Sequence, residues 1–177
     1  IRLEYSILVA CDYYATTEFN SGFEMDCFGK ADASKFREIY ERSHLMESIR
    51  KYGKELDEVT GPVYVHTDTW DGNLLIKNGK LTGLIDYAAV LWADPLLSHD
   101  FHDFGDVPNP YFLQGYGKIE FTQNEKIRIQ IYRIWQRLGM VVERGYREYE
   151  DPHMYDWVLD DFAREVEKLE TAVMDHN

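Results

Sequence analysis

Residues 63–87 read VYVHTDTWDGNLLIKNGKLTGLIDY, and the interpretation of the rest of the chain depends on them. The apolar start of this stretch leads into a polar loop, after which Leu-Leu-Ile predicts a short strand. Asn78 and Gly79 form a strong two-residue signal for a β-hairpin. We therefore expect a return strand over residues 80–85, which delivers Asp86 close to the loop that the chain has just left.

The hairpin is expected to bring three polar side chains together, although they are well separated in sequence. Asp68 and Asn73 lie in the loop, and Asp86 follows the return strand. Phosphoryl transfer requires a group that orients the acceptor hydroxyl and oxygen ligands that hold magnesium. The pattern therefore predicts that Asp68 orients the hydroxyl and that Asn73 and Asp86 bind Mg²⁺. His66 is expected to brace the loop structurally rather than to carry a proton.

This arrangement resembles the catalytic centre of the aminoglycoside phosphotransferases, a family in the kinase-like superfamily that also contains choline, homoserine and fructosamine kinases. The family's loop usually reads H-G-D-L-H-P-G-N, and I-D-W or I-D-F and then G-D-P follow it. This chain has H-T-D-T-W-D-G-N, I-D-Y and A-D-P in the same order. Thr67, Trp70 and Asp71 depart from the usual loop, and Ser98 stands where the family has a further aspartate. The resemblance covers residues 54–105.

The resemblance implies a fold and a reaction. The fold would be α+β but mostly α: the helical C-terminal lobe of the protein-kinase-like fold, in which a small β-hairpin carries the metal site and residues 1–177 form one domain. The reaction would move the γ-phosphoryl group of ATP or GTP to a hydroxyl of a small molecule, either an aminoglycoside or another amino alcohol. Mg²⁺ and the nucleotide would be the cofactors, with Asn73 and Asp86 at the binding site for both.

Other parts of a kinase-like site are not found in the sequence. A glycine-rich loop over the nucleotide and a strand lysine paired with a helix glutamate are also needed, but the chain has no G-x-G-x-x-G. The chain also begins with Ile1 rather than with methionine. We therefore expect a fragment that lacks an N-terminal nucleotide lobe and is poorly active alone.

Composition narrows the choice of function. The 177 residues are 45% hydrophobic and 29% charged, which is typical of a globular domain. The net charge of −13 argues against nucleic acid as a partner and favours a cationic substrate. Cys11 and Cys27 form no C-x-x-C motif, which favours a reducing cytoplasm. No stretch is long and apolar enough to predict a membrane span, and no secretory signal opens the chain.

Hydrophobic periodicity predicts helices over most of the remaining chain. Residues 1–14 fit a strand and a helix equally well, and residues 15–31 are predicted to be a loop, as are residues 105–121. The first expected helix runs from Asp32 to about residue 59, and a second starts at Asp94-Pro95 and runs toward residue 104. A third begins with the capping box of Thr122 and Glu125 and continues to about residue 147. The last helix opens at Asp151-Pro152.

Two further clusters suggest other sites. A transition-metal site or a metal-dependent hydrolase is suggested by His99, Asp100, His102 and Asp103, although on a helix only the first and last of them would share a face. The acidic side chains late in the chain are typical of a solvated face but could hold an amine-rich substrate. The candidate substrate-binding residues are Trp70, Asp100, Asp103, Asp160 and Asp161. The departures in the loop keep open a second class of function, a non-catalytic kinase-like binding module.

Overall fold

Helix is the main structure of the chain, and two small antiparallel sheets accompany it. The computed structural model describes residues 35, 38–41, 43–59, 61–101, 109–143 and 153–174. The chain divides into two compact units, one formed by residues 57–132 and the other by residues 1–56 together with 133–177. The α+β, mostly α class expected from the sequence is confirmed at this level.

The first unit contains the predicted hairpin. Strand β2 (Leu74–Lys77) pairs with β3 (Lys80–Leu84). Both residues of the turn have positive φ angles, 53° at Asn78 and 71° at Gly79, as the tight turn that matches strand twist requires. The register shifts once, leaving Thr82 as an extra residue, and the Thr82 hydroxyl donates to the Leu75 carbonyl at 3.0 Å. The hairpin prediction is therefore confirmed.

A second sheet in this unit was not expected from the sequence. Strand β1 (Val63–His66) pairs with β4 (Val90–Ala93) in an antiparallel register that runs from Val63 opposite Ala93 to His66 opposite Val90. The short apolar run Val-Leu-Trp-Ala is compatible with a strand, but it is too short for its partner to be read from sequence. The pairing places the start of the polar loop beside β4.

The helix expected from Asp94 toward residue 104 is wrong where the structure describes it. Two 3₁₀ turns occupy this segment, Pro95–Leu97 and His99–Phe101. Asp94 does cap the first turn, because its side chain accepts a hydrogen bond from the Leu96 backbone N–H. Between the turns, Ser98 has an extended ψ of 141°, which prevents a continuous helix. Residues 102–104 lie outside the described residues.

The loop expected over residues 105–121 is also wrong in part, since residues Pro110–Tyr116 form helix α3. Its signals were present in the sequence. Asn109 caps the helix by accepting a hydrogen bond from the Tyr111 backbone N–H at 2.9 Å, and a proline occupies the first helical position. Gly117 ends the helix with a φ of 82°. The buried ring of Phe101 packs edge-on against aromatic side chains of α3.

Helix α4 (Gln123–Glu143) begins with the predicted capping box. The Thr122 hydroxyl accepts from the Glu125 backbone N–H at 3.2 Å, and the Glu125 carboxylate accepts from the Thr122 backbone N–H at 2.9 Å. Of the apolar side chains that recur at helical spacing in this segment, Ile127, Ile131, Ile134 and Leu138 are buried and Trp135 is half-buried. The capping box and this face are confirmed, while residues 144–147 lie outside the described part.

In the second unit, the single helix expected from Asp32 to about residue 59 is interrupted. Residues 38–41 are helical, α1 spans Leu45–Lys51 and α2 spans Gly53–Asp57. The Ser43 hydroxyl donates to the Tyr40 carbonyl at 3.1 Å, and the His44 backbone N–H donates to the Glu170 carboxylate at 2.6 Å. These side-chain bonds satisfy backbone groups that a continuous helix would have paired, so the helix stops and restarts.

The last helix, α5 (Met154–Met174), contributes to this unit's core along one side. Its buried side chains include Val158, Leu159, Phe162, Val166 and Leu169, which confirms the predicted apolar side. Helix α1 packs against it, and Leu45 and Ile49 of α1 are buried. The expectations for residues 1–34 and for the Asp151-Pro152 start lie outside the described residues. Among the described helices, none has the length and apolar character needed to cross a membrane.

Candidate active site

Asp68 and Asn73 are in direct contact in the loop that joins β1 to β2. The Asn73 side-chain Nδ2 donates to Oδ2 of Asp68 at 3.0 Å and to the Asp68 backbone carbonyl at 2.8 Å. A 3₁₀ turn at Asp71–Asn73 supports this geometry, and in it the Asn73 backbone N–H donates to the Trp70 carbonyl. Nδ2 is used as a donor in both of these bonds, so the amide oxygen is the side-chain atom of Asn73 that is left to bind a ligand.

The backbone that leads into Asp86 is tied to the same loop. The Ile85 backbone N–H donates to the Asn73 carbonyl at 3.0 Å. Asp86 itself is exposed and has a left-handed backbone with φ 60° and ψ 67°. Non-glycine residues rarely adopt this conformation, and outliers of this kind occur often at functional sites. The expected neighbourhood of Asp68, Asn73 and the segment entering Asp86 is therefore present.

His66 bridges the two sides of the site. Its Nδ1 accepts a hydrogen bond from the Asp68 backbone N–H at 3.1 Å, and its Nε2 lies 3.1 Å from the Ile85 carbonyl oxygen. Since a carbonyl can only accept, Nε2 carries the proton and the imidazole is neutral. The ring also packs edge-on against Tyr87 at 5.4 Å between centroids. Both ring nitrogens are thus occupied by backbone contacts, in keeping with a bracing role.

Two of the departures from the usual family loop have structural partners. Thr67 is buried, and its hydroxyl donates to the Ala89 carbonyl at 2.8 Å, just before β4. Trp70 lies over Gly72, where an added Cβ would come within 2.3 Å of indole carbons. Only glycine at position 72 permits this close approach. The indole remains 55% exposed, so its outer part is open to solvent beside the loop.

Asp94 is a buried carboxylate that accepts three hydrogen bonds. Its oxygens accept from the Leu96 backbone N–H, from Arg128 and from Tyr132, and all three side chains of this network are buried. The roles of Arg128 and Tyr132 were not foreseen. The sequence holds no local signal for them, because their partner Asp94 lies 34 and 38 positions earlier in the chain.

A family model described as a phosphotransferase enzyme family matches residues 19–123, which is more than half of the chain. The chain belongs to this phosphotransferase family. The resemblance to aminoglycoside phosphotransferases that the loop predicts is confirmed by this match. A search of curated proteins and a search of solved structures gave no match.

The donor set of this phosphotransferase suits magnesium. Proteins hold Mg²⁺ through one or two carboxylates and leave its other positions to water and substrate phosphates. Asn73 offers one amide oxygen, and the Asp86 carboxylate has no hydrogen-bond partner among the described residues. No cluster of three or more His, Cys, Asp or Glu side chains forms a metal site within that same part of the chain. The residues fit a metal held jointly with a nucleotide.

The other predicted substrate residues of this phosphotransferase are not part of the loop. His99 and Asp100 lie in a 3₁₀ turn, and His102 and Asp103 are outside the described residues, so the alternative hydrolase cluster stays a prediction. Asp160 is exposed and pairs with Lys35 at 2.9 Å. Asp161 is 2% exposed and pairs with Arg137 at 2.5 Å, so the expectation of a solvated face is wrong for this residue.

Proposed function

We propose that the protein containing this chain is a small-molecule kinase that transfers the γ-phosphoryl group of ATP or GTP to a hydroxyl of an amino alcohol. The single observation that carries the proposal is the contact between Asn73 and Asp68 in a loop to which Ile85, the neighbour of Asp86, is hydrogen-bonded. Membership of the phosphotransferase family supports the same reaction class.

Asp68 is the residue that meets the acceptor. One of its oxygens is held by the Asn73 amide, which fixes the carboxylate plane. The other has no hydrogen-bond partner among the described residues and can accept the proton of an incoming hydroxyl. Catalysis by such a group is mainly positioning of the acceptor in line with the phosphate, with general-base assistance.

Asn73 and Asp86 would hold magnesium together with the nucleotide phosphates. A metal bound there would neutralise the negative charge of the phosphates. The Asp86 carboxylate provides the charged ligand and the Asn73 amide oxygen the neutral one. Because Nδ2 of Asn73 donates to Asp68, one side chain would link the acceptor-orienting group to the metal and fix the spacing between them.

The rest of the nucleotide site lies, in this proposal, on an N-terminal lobe outside residues 1–177. A glycine-rich loop and a strand lysine would come from that lobe, so the chain alone would turn over poorly. The charge of −13 favours a cationic acceptor. We place the reaction in the cytoplasm, where ATP and Mg²⁺ are available.

The test is phosphoryl transfer by the full-length protein with labelled ATP or GTP and a panel of amino-alcohol acceptors. Asp68→Asn should lower kcat by about 10²–10⁴-fold, the range for loss of a positioned base, and leave nucleotide affinity nearly unchanged. Asp71→Asn is the matched control, because Asp71 is exposed in the same loop and should keep parental turnover. If the parent binds nucleotide but transfers phosphate to no acceptor, the chain is a binding module and the proposal is wrong.

A further inference from the structure

Asp94 is a buried carboxylate that the proposed phosphoryl transfer does not use. It is 7% exposed, and both of its oxygens accept hydrogen bonds. Oδ1 accepts from the Leu96 backbone N–H at 3.0 Å. Oδ2 accepts from Nε of Arg128 at 2.8 Å and from the hydroxyl of Tyr132 at 2.9 Å. Three donors, one of them charged, hold this carboxylate in a single orientation.

The two side chains that hold Oδ2 come from one face of α4. Arg128 and Tyr132 are four positions apart, so they lie one above the other on the helix, and both are buried. Arg128 also contacts the Glu58 carboxylate at 3.3 Å. Burial, the charge of Asp94 and the hydrogen bond to it all raise the pKa of Tyr132. The Tyr132 hydroxyl donates to the Asp94 carboxylate.

Asp94 is connected to the loop that carries Asp68 through the pairing of β4 with β1. Asp94 directly follows β4, and every residue of β4 pairs with β1. The last pair sets Val90 opposite His66, and the preceding carbonyl, that of Ala89, accepts from the Thr67 hydroxyl. Fixing the end of β4 therefore fixes the backbone from which the loop carrying Asp68 departs.

We propose that Asp94 is a positioning residue, which with Arg128 and Tyr132 locks β4 to α4 and so sets the backbone of the loop that presents Asp68. Its consequence for turnover rests on the proposed function, but the positioning itself does not. Well-packed apolar side chains often match or exceed a buried ion pair in stability. The charged network instead holds its three side chains, and therefore β4 and α4, in a single relative orientation, which apolar packing alone specifies less strictly.

The test is hydrogen exchange of individual backbone amides in the chain itself, followed by NMR. Tyr132→Phe removes one hydrogen bond to Asp94 and keeps the ring. Exchange should become about tenfold faster, the equivalent of one hydrogen bond to a charged group, at the amides of Asp68 and Ile85. Amides of α5 should keep their parental rates. Tyr111→Phe is the control, because that side chain is 82% exposed, and it should change nothing.

Asp94→Asn is the second variant, since it keeps the size of the side chain and removes its charge. Uniformly faster exchange along the chain in both variants would mean that the network contributes only to overall stability, and it would overturn the proposal. Unchanged exchange at the amides of Asp68 and Ile85 would also overturn it. In the full-length enzyme, Tyr132→Phe should lower kcat and leave the KM for nucleotide unchanged. Loop-specific exchange without any parental turnover would instead uphold the positioning role and refute the kinase activity.

Discussion

Asp86 has an unusual backbone conformation and an exposed carboxylate at the candidate site. Its left-handed backbone, with φ 60°, is one that most residues with a side chain avoid and that Asp and Asn adopt more readily. The Ile85 bonds to Asn73 and His66 hold the chain immediately before it. The sequence predicts that Asp86 is functional because an apolar strand precedes it, but it gives no indication of this conformation. Aspartate permits this conformation, but the bonds of Ile85 to distant residues are what the sequence does not show.

Trp70 and Gly72 give a prediction at the same scale. In Gly72→Ala the new methyl group would overlap the indole, and the ring, whose outer edge is exposed, should move away because a side chain yields more readily than backbone. We expect a shift of the Trp70 indole N–H signal, assigned by its loss in Trp70→Phe, with destabilisation of about 1 kcal/mol or less. Gly61→Ala meets no atom within 4 Å and serves as the control. An unmoved indole signal in Gly72→Ala would contradict the packing described.

At the scale of elements, the features that neighbouring residues determine were predicted, and those that distant residues determine were missed. The Asn78-Gly79 turn and the Thr122–Glu125 capping box depend on neighbouring residues, and both were predicted correctly. Strand β4 was missed, because its partner β1 lies on the far side of the hairpin in sequence. The break at Ser43 was missed as well, since it depends on Glu170 at the other end of the chain.

The capping box predicts a pH dependence. Burial acts to raise the pKa of Glu125, but the hydrogen bonds from Lys118 and Thr122 outweigh it, so the pKa lies below its usual 4.5. A lowered folded-state pKa means that the cap stabilises fully above the unfolded value and is lost as the pH falls through the folded one. The melting temperature of Glu125→Gln should therefore depend less on pH below about 4.5 than that of the parent. Glu120→Gln, at an exposed position, should follow the parent, and equal slopes for all three proteins would refute the cap.

Helices α4 and α5 are joined by a buried ladder of ion pairs. Arg137 pairs with Asp161 at 2.5 Å, and one turn earlier in α4 Arg133 lies 3.8 Å from Glu165. All four side chains are at most 5% exposed. The pairs step in opposite directions along the two helices, so they fix an antiparallel register.

Removing one partner of this ladder should be costly. Asp161→Ala leaves the Arg137 charge buried and should destabilise the chain by about 3–5 kcal/mol. Asp160→Ala is the neighbouring control: its side chain is 71% exposed and pairs only with Lys35 among the contacts described, so the expected loss is about 0–1 kcal/mol. Urea unfolding of the two variants measures the difference. Similar losses in both would mean that the ladder does not contribute as described.

At the scale of the whole molecule, the sequence predicted the family because the loop, the hairpin and Ile-Asp-Tyr form one local unit. The two compact units were not apparent in the sequence, because they follow from contacts between distant segments, which periodicity does not reveal; the expectation of one domain stays a prediction. The buried network around Asp94 was beyond sequence reasoning for the same reason. Its bonds join residues of separate elements, and only the folded chain shows which acids have buried partners.

The central claim is that Asn73 and Asp86 share a divalent cation beside Asp68. The most direct measurement is paramagnetic broadening of NMR signals when Mn²⁺ and ATP are added to the full-length protein. We predict selective loss of the Asn73 side-chain amide and the Asp86 backbone signals in the parent and in the control Asp71→Asn. Asp86→Asn, in which asparagine tolerates the left-handed backbone, should abolish the effect at Asn73. Broadening that is absent from the parent, or that persists at Asn73 in Asp86→Asn, would contradict the claim.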